Sequence, residues 1–171
     1  RSEPAKWGIT QIRKKGLRDL GASLGPEAAH RVAIGAETLA LRVQRQSENA
    51  MAMCEFLHAH PKIKKVYYPG LAEHPQHARA GELFRAFGGL LSFELQSHVD
   101  LWEFLNRLQV IVKSSNLGDN RTLAIPVAHT IYFEMGPERR ARMGIDDSLI
   151  RISSGIEDNE DLLADISAAF D

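Results

Sequence analysis

The sequence predicts an α+β fold, an open sheet of about four strands with helices on one face. The first observation is the length, since 171 residues at 19.0 kDa make one domain of ordinary size or slightly more. The second is the composition, 44% hydrophobic and 25% charged, which is typical of a globular chain and excludes wholesale disorder. The third is the order of elements after a long helix: strand, helix, strand, helix, strand, loop, strand, helix.

Two helices are predicted before the sheet. Residues 7–20 alternate apolar and basic positions at helical spacing, and this helix should break near Gly21. The second starts at Pro26, and its inward positions recur at steps of four and three; seven of eight are apolar and Gln46 is the exception. Its thirty or so residues would span about 50 Å, which favours a helix that bridges two domains or packs on a second copy. A helix lying across one sheet is the alternative.

Strands and helices alternate in the rest of the chain. The predicted strands, which are short apolar runs bounded by turn residues, are 63–68, 90–95, 110–112 and 149–153. The predicted helices are 76–86, 100–108, a short one from Pro137 and a last one that starts at Asp158. Residues 114–136 show no clear period, so we expect a structured loop there.

Charge and cysteine content exclude several classes of function. The chain has 21 Lys+Arg and 22 Asp+Glu, a net charge of −1, which argues against a nucleic-acid partner or an anionic membrane partner. Its single cysteine, Cys54, cannot form an internal disulfide, and we expect a cytoplasmic protein. The charge is unevenly placed: residues 1–18 are basic and residues 146–171 acidic. One interpretation is that both ends are solvated faces, and the other is that the basic end faces an acidic partner.

The histidines do not predict a metal site. They form two close pairs, His58 with His60 and His74 with His77, and each pair lacks further ligands at metal-binding spacing. We therefore interpret them as surface residues. No G-x-S-x-G, Walker or GxGxxG motif is present in the sequence.

Arg151 is the strongest candidate for a binding residue. It lies in a predicted strand between Ile150 and Ile152, which point to the other face of the sheet. Arginine is rare at such a position unless its guanidinium is paired or lines a cleft, and its planar fork suits bidentate binding of a carboxylate. A buried salt bridge to a nearby acid is the alternative.

The segment 114–119 is the second candidate. Its hydroxyl and amide side chains are followed by Gly118, which allows a close backbone approach to a ligand. A turn that caps a neighbouring element is the alternative.

Several segments, in order over nearly the whole chain, resemble the C-terminal half of the cystathionine γ-synthase family, the pyridoxal-phosphate enzymes of cysteine and methionine metabolism. The matching segments are 16–28 (GLRDLGASLGPEA), 37–43 (ETLALRV), 68–71 (YPGL), 74–77 (HPQH), 116–119 (NLGD) and 149–158 (LIRISSGIED).

The resemblance implies the C-terminal part of a fold type I enzyme that is longer and normally a homotetramer. Residues 1–25 would connect to the absent domain that binds pyridoxal 5'-phosphate, residues 26–60 would be the interdomain helix, and residues 61–171 would form an α+β domain with a mainly antiparallel sheet. The lysine that holds the cofactor would lie in the absent N-terminal half. This chain would then contain no catalytic residue and would not bind the cofactor alone.

The resemblance also implies roles for four residues in binding an amino-acid substrate. Arg151 falls on the arginine that holds the substrate α-carboxylate, and Asn116 falls where many members have a serine that helps to hold it. Ser115 falls on a position that varies with the type of reaction. Thr130 falls on a threonine near the cofactor lysine, although the surrounding IPVAHTI departs from the usual HPAxxTH.

The implied activity of the full-length enzyme is C–S cleavage of cystathionine or methionine, or γ-replacement on an acylhomoserine. One alternative is a non-catalytic α+β module for binding or oligomerisation, inactive without the N-terminal half. Another is a small independent enzyme with a site around His129, Asp119 and Ser115.

Overall fold

The computed structural model describes residues 4–21 and 23–171 of the chain. Residues 1–3 and 22 belong to the predicted connecting segment 1–25 and lie outside the described residues. The chain divides into two compact units, Arg1–Leu39 and Ala40–Asp171. The roles predicted for residues 1–25, 26–60 and 61–171 stay predictions.

The first unit is helical. Helix α1 (Pro4–Gln11) continues through a π-helical stretch, Ile12–Leu17, into the short α2 (Arg18–Leu20). Gly21 then ends the run at a φ of 67° and donates its N–H to the carbonyl of Leu17 at 2.9 Å. Glycine adopts this left-handed conformation without a steric penalty, so the predicted break near Gly21 is confirmed.

The long helix predicted from Pro26 is two helices in the structure. Helix α3 (Pro26–Glu37) and helix α4 (Leu39–His58) are separated by Thr38, which has a φ of −100° and a ψ of 3°. The N–H of Thr38 donates to the carbonyl of Ala36, two residues back instead of four. The apolar spacing continues through this break, and for this reason the sequence pattern predicted one helix.

The second unit contains a mixed sheet of five strands rather than about four. The strands are β1 (Ile63–Tyr67), β2 (Leu90–Leu95), β3 (Val112–Lys113), β4 (Leu123–Pro126) and β5 (Leu149–Ser153). Their order is β1-β2-β5-β4-β3, with three antiparallel pairings and a parallel one between β3 and β4. The α+β class is confirmed.

Strand β4 lies inside the segment 114–136 that was predicted to be a loop, and that prediction was wrong for these residues. All four residues of β4 are buried, so the strand shows no alternation of apolar and polar positions. It also ends at Pro126, a residue that is typical of turns. The rest of the segment is irregular except for two 3₁₀ turns, Val127–His129 and Phe133–Met135.

One face of the sheet carries the hydrophobic core. Alternate residues of the central strands pack there against helix α4, helix α6 (Leu101–Arg107) and helix α8 (Asn159–Phe170). The fully buried members include Met53, Leu57, Phe93, Phe104, Ile150, Ile152 and Ile166. The other face of the central strands, called the polar face below, carries Ser92, Glu94, Arg151 and Ser153 beside apolar residues of β4, and it holds the candidate site.

The remaining helices lie close to the positions that the sequence predicted. Helix α5 covers His77–Leu83 and helix α7 covers Pro137–Arg142. Helix α8 begins after Asp158, whose carboxylate accepts a hydrogen bond from the N–H of Glu160 at 3.0 Å, and the predicted start is confirmed. Within residues 4–21 and 23–171, no helix has both the length and the apolar character that crossing a bilayer requires.

Candidate functional site

Arg151 lies in the middle of β5, at the centre of the polar face. Its neighbours Ile150 and Ile152 are buried in the core on the opposite face, as the alternation of a strand requires. Arg151 pairs with Ser92 of β2 on one side and with Ile125 of β4 on the other. The backbone of Arg151 is therefore held between two strands, while its half-buried side chain projects from the sheet.

The guanidinium of Arg151 is only partly satisfied. Its Nη2 donates to the carbonyl of Ser115 at 3.0 Å and to the carbonyl of Asn116 at 3.2 Å. Its Nε is buried and has no hydrogen-bond partner among the described residues. Buried donors are almost always paired in proteins, so this Nε calls for an acceptor such as a ligand or an ordered water.

The alternative role for Arg151 was a buried salt bridge. In the part of the chain that the structure describes, no carboxylate pairs with its guanidinium. The ion pairs there join other residues, and none of them places a carboxylate on this guanidinium. An external anion would satisfy the buried Nε.

The segment 114–119 passes beside Arg151 and is held from two sides. The N–H of Gly118, which has a φ of 75°, donates to the hydroxyl of Ser153 at 2.9 Å. The side-chain amide of Gln46 on α4 donates to the carbonyl of Asp119 at 2.9 Å. Ser115 and Asn116 have exposed side chains and contact Arg151 through their backbone carbonyls.

A second set of hydrogen bonds fixes the end of this segment to the chain that follows β5. The carboxylate of Glu157 accepts from the N–H of Thr122 at 2.5 Å and from its hydroxyl at 2.8 Å. The N–H of Gly155 donates to the hydroxyl of Thr122 at 2.8 Å, and the side chain of Asn49 donates to the carbonyl of Glu157 at 2.9 Å. Residues 120–122 and 155–157 therefore form one hydrogen-bonded platform.

Thr130 is separate from the other three predicted site residues. Its hydroxyl donates to the carbonyl of Pro126 at 2.7 Å, at the end of β4. Thr130 is exposed, and among the described residues no hydrogen bond links it to Arg151, Ser115 or Asn116. The structure thus brings together three of the four predicted residues.

The alternative site around His129, Asp119 and Ser115 is not assembled. The Nε2 of His129 lies 2.9 Å from the carbonyl of Asp147, and its ring packs on Trp102. The carboxylate of Asp119 accepts from the N–H of Arg121 at 3.0 Å. That backbone hydrogen bond, together with the charge of Arg121, lowers the pKa of Asp119.

The paired histidines take part in local packing. His60 stacks on Phe170, with ring centroids 4.2 Å apart, and the Nδ1 of His77 lies 2.8 Å from the carbonyl of Pro69. The described residues hold no group of three or more His, Cys, Asp or Glu arranged to bind a metal ion.

A charged cluster that the sequence did not indicate lies towards the β1 edge of the same face. The ammonium of Lys64 is 2.7 Å from the carboxylate of Glu94 and 2.8 Å from that of Asp146, and Tyr67 donates to Glu94 at 2.5 Å. The hydrogen bond from Lys64 lowers the pKa of Asp146 to about 2, and burial raises the pKa of Tyr67 to about 12. The two acids, Glu94 and Asp146, are far from Lys64 and Tyr67 in the sequence, so no local spacing could have indicated the cluster.

The chain matches a family model described as Cys/Met metabolism PLP-dependent enzyme, over residues 5–171. It is 40% identical over 163 residues to O-acetyl-L-homoserine sulfhydrylase 1 of Thermus thermophilus, covering 94% of this chain and 39% of the relative. It is 39% identical over 163 residues to L-methionine gamma-lyase of Pseudomonas putida, covering 94% of this chain and 41% of the relative.

Solved structures resemble most of this chain. Cystathionine gamma-lyase from Micromonospora echinospora has a TM-score of 0.88 at 35% identity, covering 96% of this chain and 43% of that one. Cystathionine gamma synthase from Xanthomonas oryzae pv. oryzae in complex with cystathionine has a TM-score of 0.80 at 37% identity, covering 89% and 40%. The chain therefore spans well under half the length of these relatives.

Proposed function

Because the chain belongs to the Cys/Met metabolism family of pyridoxal-phosphate-dependent enzymes, we propose that it supplies the carboxylate clamp for the substrate of such an enzyme. The observation that carries this proposal is the buried Nε of Arg151, which lacks an acceptor among the described residues. An amino-acid α-carboxylate has the charge and the planar shape that a guanidinium binds best.

The two loop carbonyls fix the orientation of the clamp. They hold Nη2 of Arg151 at 3.0 and 3.2 Å, which restricts rotation of the guanidinium plane. Nε and Nη1 have no hydrogen bonds to the described residues, and we propose that the carboxylate binds on this side of the guanidinium. A substrate held through its carboxylate in this way has a defined orientation about its α-carbon, which lowers the entropic cost of the reaction.

Pyridoxal phosphate, when bound, supplies an electron sink for negative charge that develops at the substrate α-carbon. We assign the cofactor and its lysine to a part of the longer protein outside these residues. Arg151 would bind the carboxylate, and the exposed side chains of Ser115 and Asn116 would form one wall of the substrate cleft. Thr130 would lie at the border of that cleft.

The reaction would be C–S bond cleavage in cystathionine or methionine, or γ-replacement on an acylhomoserine. Support for this range comes from the relatives, which include sulfhydrylases, methionine gamma-lyases and cystathionine gamma-synthases at 39–41% identity. We further propose a cytoplasmic homotetramer.

The apolar surface of the first unit supports a partner in the longer protein. Every residue of α3 is exposed, including Val32 and Ile34. Large apolar side chains are also exposed in residues 4–24, namely Trp7, Ile9, Ile12, Leu17, Leu20 and Leu24. Exposed apolar side chains of this size and number are typical of an interface. We propose that the N-terminal domain and further copies of the chain cover it.

Replacing Arg151 with Ala in the full-length, cofactor-loaded enzyme tests the clamp. We expect KM for the amino-acid substrate to rise by on the order of 100-fold, because two charge-assisted hydrogen bonds are lost. Arg107→Ala is the matched control, since Arg107 is an exposed arginine that pairs with Glu103 on α6. Calorimetric titration with an unreactive amino acid should show the same loss of affinity. An unchanged KM and an unchanged affinity would remove Arg151 from this role.

A further inference from the structure

We propose that Gln46 and Ser153 are positioning residues for substrate binding: they hold the segment 114–119 so that its carbonyls orient the guanidinium of Arg151. The inference rests on the proposed carboxylate clamp. It assigns a role in the site to two residues that would not touch the substrate themselves.

Ser153 and Arg151 act on the same segment from the same strand. They are two residues apart in β5, so both side chains project from the polar face of the sheet. The guanidinium of Arg151 donates to the carbonyls of Ser115 and Asn116, and the hydroxyl of Ser153 accepts from the N–H of Gly118 at 2.9 Å. Ser153 is 3% exposed, so its hydroxyl cannot exchange this partner for bulk water.

Gln46 holds the segment from the helix side. Its side-chain amide donates to the carbonyl of Asp119 at 2.9 Å, and the residue is 8% exposed. The following turns of α4 are fixed in the core by Ala50 and Met53, which are fully buried. The hydrogen bond of Gln46 explains why a polar residue interrupts the apolar stripe of this helix.

The segment depends on these hydrogen bonds because its own side chains do not anchor it. Residues 115–118 are all exposed, and Leu117 is exposed by 57%. A loop without buried side chains is held by its backbone contacts. Loss of either contact would let Ser115 and Asn116 move away from Arg151.

A displaced segment would affect binding more than turnover. The guanidinium would lose the two carbonyls that set its plane, so its affinity for a carboxylate would be lower. The bond-breaking step would keep its machinery, because Gln46 and Ser153 contact the segment and not the reacting atoms. We therefore expect a rise in KM with little change in kcat.

The test uses Gln46→Glu and Ser153→Ala in the full-length, cofactor-loaded enzyme. Gln46→Glu keeps the shape of the side chain and removes the donor. Each variant should raise KM by at least roughly five- to tenfold, the size expected for one hydrogen bond, with kcat close to wild type. Ser153→Ala should keep the melting temperature close to wild type, whereas Gln46→Glu should lower it because its carboxylate would face the carbonyl of Asp119. Deuterium uptake in peptides covering residues 114–119 should be faster, and Ser153→Thr, which keeps the hydroxyl, should restore KM.

Matched controls come from the same elements. Gln44→Glu changes another glutamine of α4, whose side chain donates to Glu48, and Ser148→Ala removes a hydroxyl just before β5 that bonds to Asp146. Both should leave KM and deuterium uptake in residues 114–119 unchanged.

The outcomes separate this inference from the proposed function. If Arg151→Ala raises KM while Gln46→Glu and Ser153→Ala do not, the positioning role is wrong and the clamp stands. If Arg151→Ala leaves KM unchanged, the clamp is wrong and the positioning role falls with it, even where deuterium uptake rises. If both positioning variants show a lower kcat and a lower melting temperature as well as a higher KM, the two residues are merely structural and the inference is overturned.

Discussion

The carboxylate of Asp165 accepts a hydrogen bond from the backbone N–H of Ile111, with an oxygen–nitrogen distance of 2.9 Å. It also accepts from the N–H of Gln109 at 2.7 Å and from that of Val110 at 3.1 Å. One buried side chain in the middle of α8 therefore satisfies the turn that connects α6 to β3. This contact fastens the last helix to the strand that leads into the candidate site.

Asp165→Ala should lower the free energy of unfolding by about 3 kcal/mol, because three backbone donors lose a charged acceptor. Asp165→Asn keeps one acceptor oxygen and should cost roughly half as much. Urea denaturation of the chain followed by circular dichroism measures both. A loss below about 1 kcal/mol for the alanine variant would mean that water replaces the carboxylate at this turn.

Gly155→Ala should destabilise the platform beneath the segment 114–119. A Cβ at this position would lie 2.4 Å from the carbonyl oxygen of Asn120 and 2.5 Å from the backbone of Arg121, and neither atom can move independently. We expect a loss of about 2 kcal/mol in the free energy of unfolding. Gly81→Ala is the matched control: a Cβ there meets nothing within 4 Å, and alanine should stabilise α5 by roughly 0.5 to 1 kcal/mol. Equal effects of the two substitutions would contradict this prediction.

The ion pair between Lys64 and Asp146 should make the free energy of unfolding depend on pH under acidic conditions. The hydrogen bond from Lys64 lowers the pKa of Asp146 from 3.8 to about 2, so the folded chain binds this proton less readily than the unfolded chain. The resulting stabilisation is fully present above about pH 4 and disappears as the pH falls through about 2. The difference in unfolding free energy between wild type and Asp146→Asn should shrink across this window. A difference that stays constant with pH would show that Lys64 does not perturb the carboxyl group.

The chain of 171 residues should not hold pyridoxal phosphate covalently when the two are mixed. We assign the lysine that carries the cofactor to a part of the protein beyond these residues. Borohydride reduction followed by intact-mass measurement should therefore find no added pyridoxyl group on the chain, whereas the full-length protein should carry one. A stoichiometric adduct on this chain would move the cofactor site into residues 1–171.

Local patterns predicted most helices and three of the strands, because each has a marker near its ends. The strand predicted at 110–112 shares only Val112 with β3. Asp158 marks the start of α8, Gly21 marks the end of α2, and apolar alternation marks β5. Strand β4 and the break at Thr38 lacked such markers. Burial on both faces removed the alternation of β4, and the apolar stripe continues through Thr38.

The candidate site was predictable only where one residue was unusual by itself. Arg151 stood out as a charge within an apolar strand, and its surroundings agree with a place for a ligand. Gln46 and Ser153 were missed as parts of the site because their partners lie 73 and 35 residues away in the sequence. The interruption of the apolar stripe by Gln46 was the one available signal, and it does not indicate what the side chain binds.

The order of the strands leaves β1 and β3 at the two edges of the sheet, where each pairs with a single strand among the described residues. Such edges invite other chains to add strands, which leads to aggregation. Strand β3 has only two residues, too few to nucleate a pairing. Strand β1 has an irregular register between Ile63 and Lys65 and carries two adjacent lysines, which disfavour an incoming strand. Both edges of the sheet are thus protected against the addition of strands from other chains. The short length of β3 protects one edge, and the lysines of β1 protect the other.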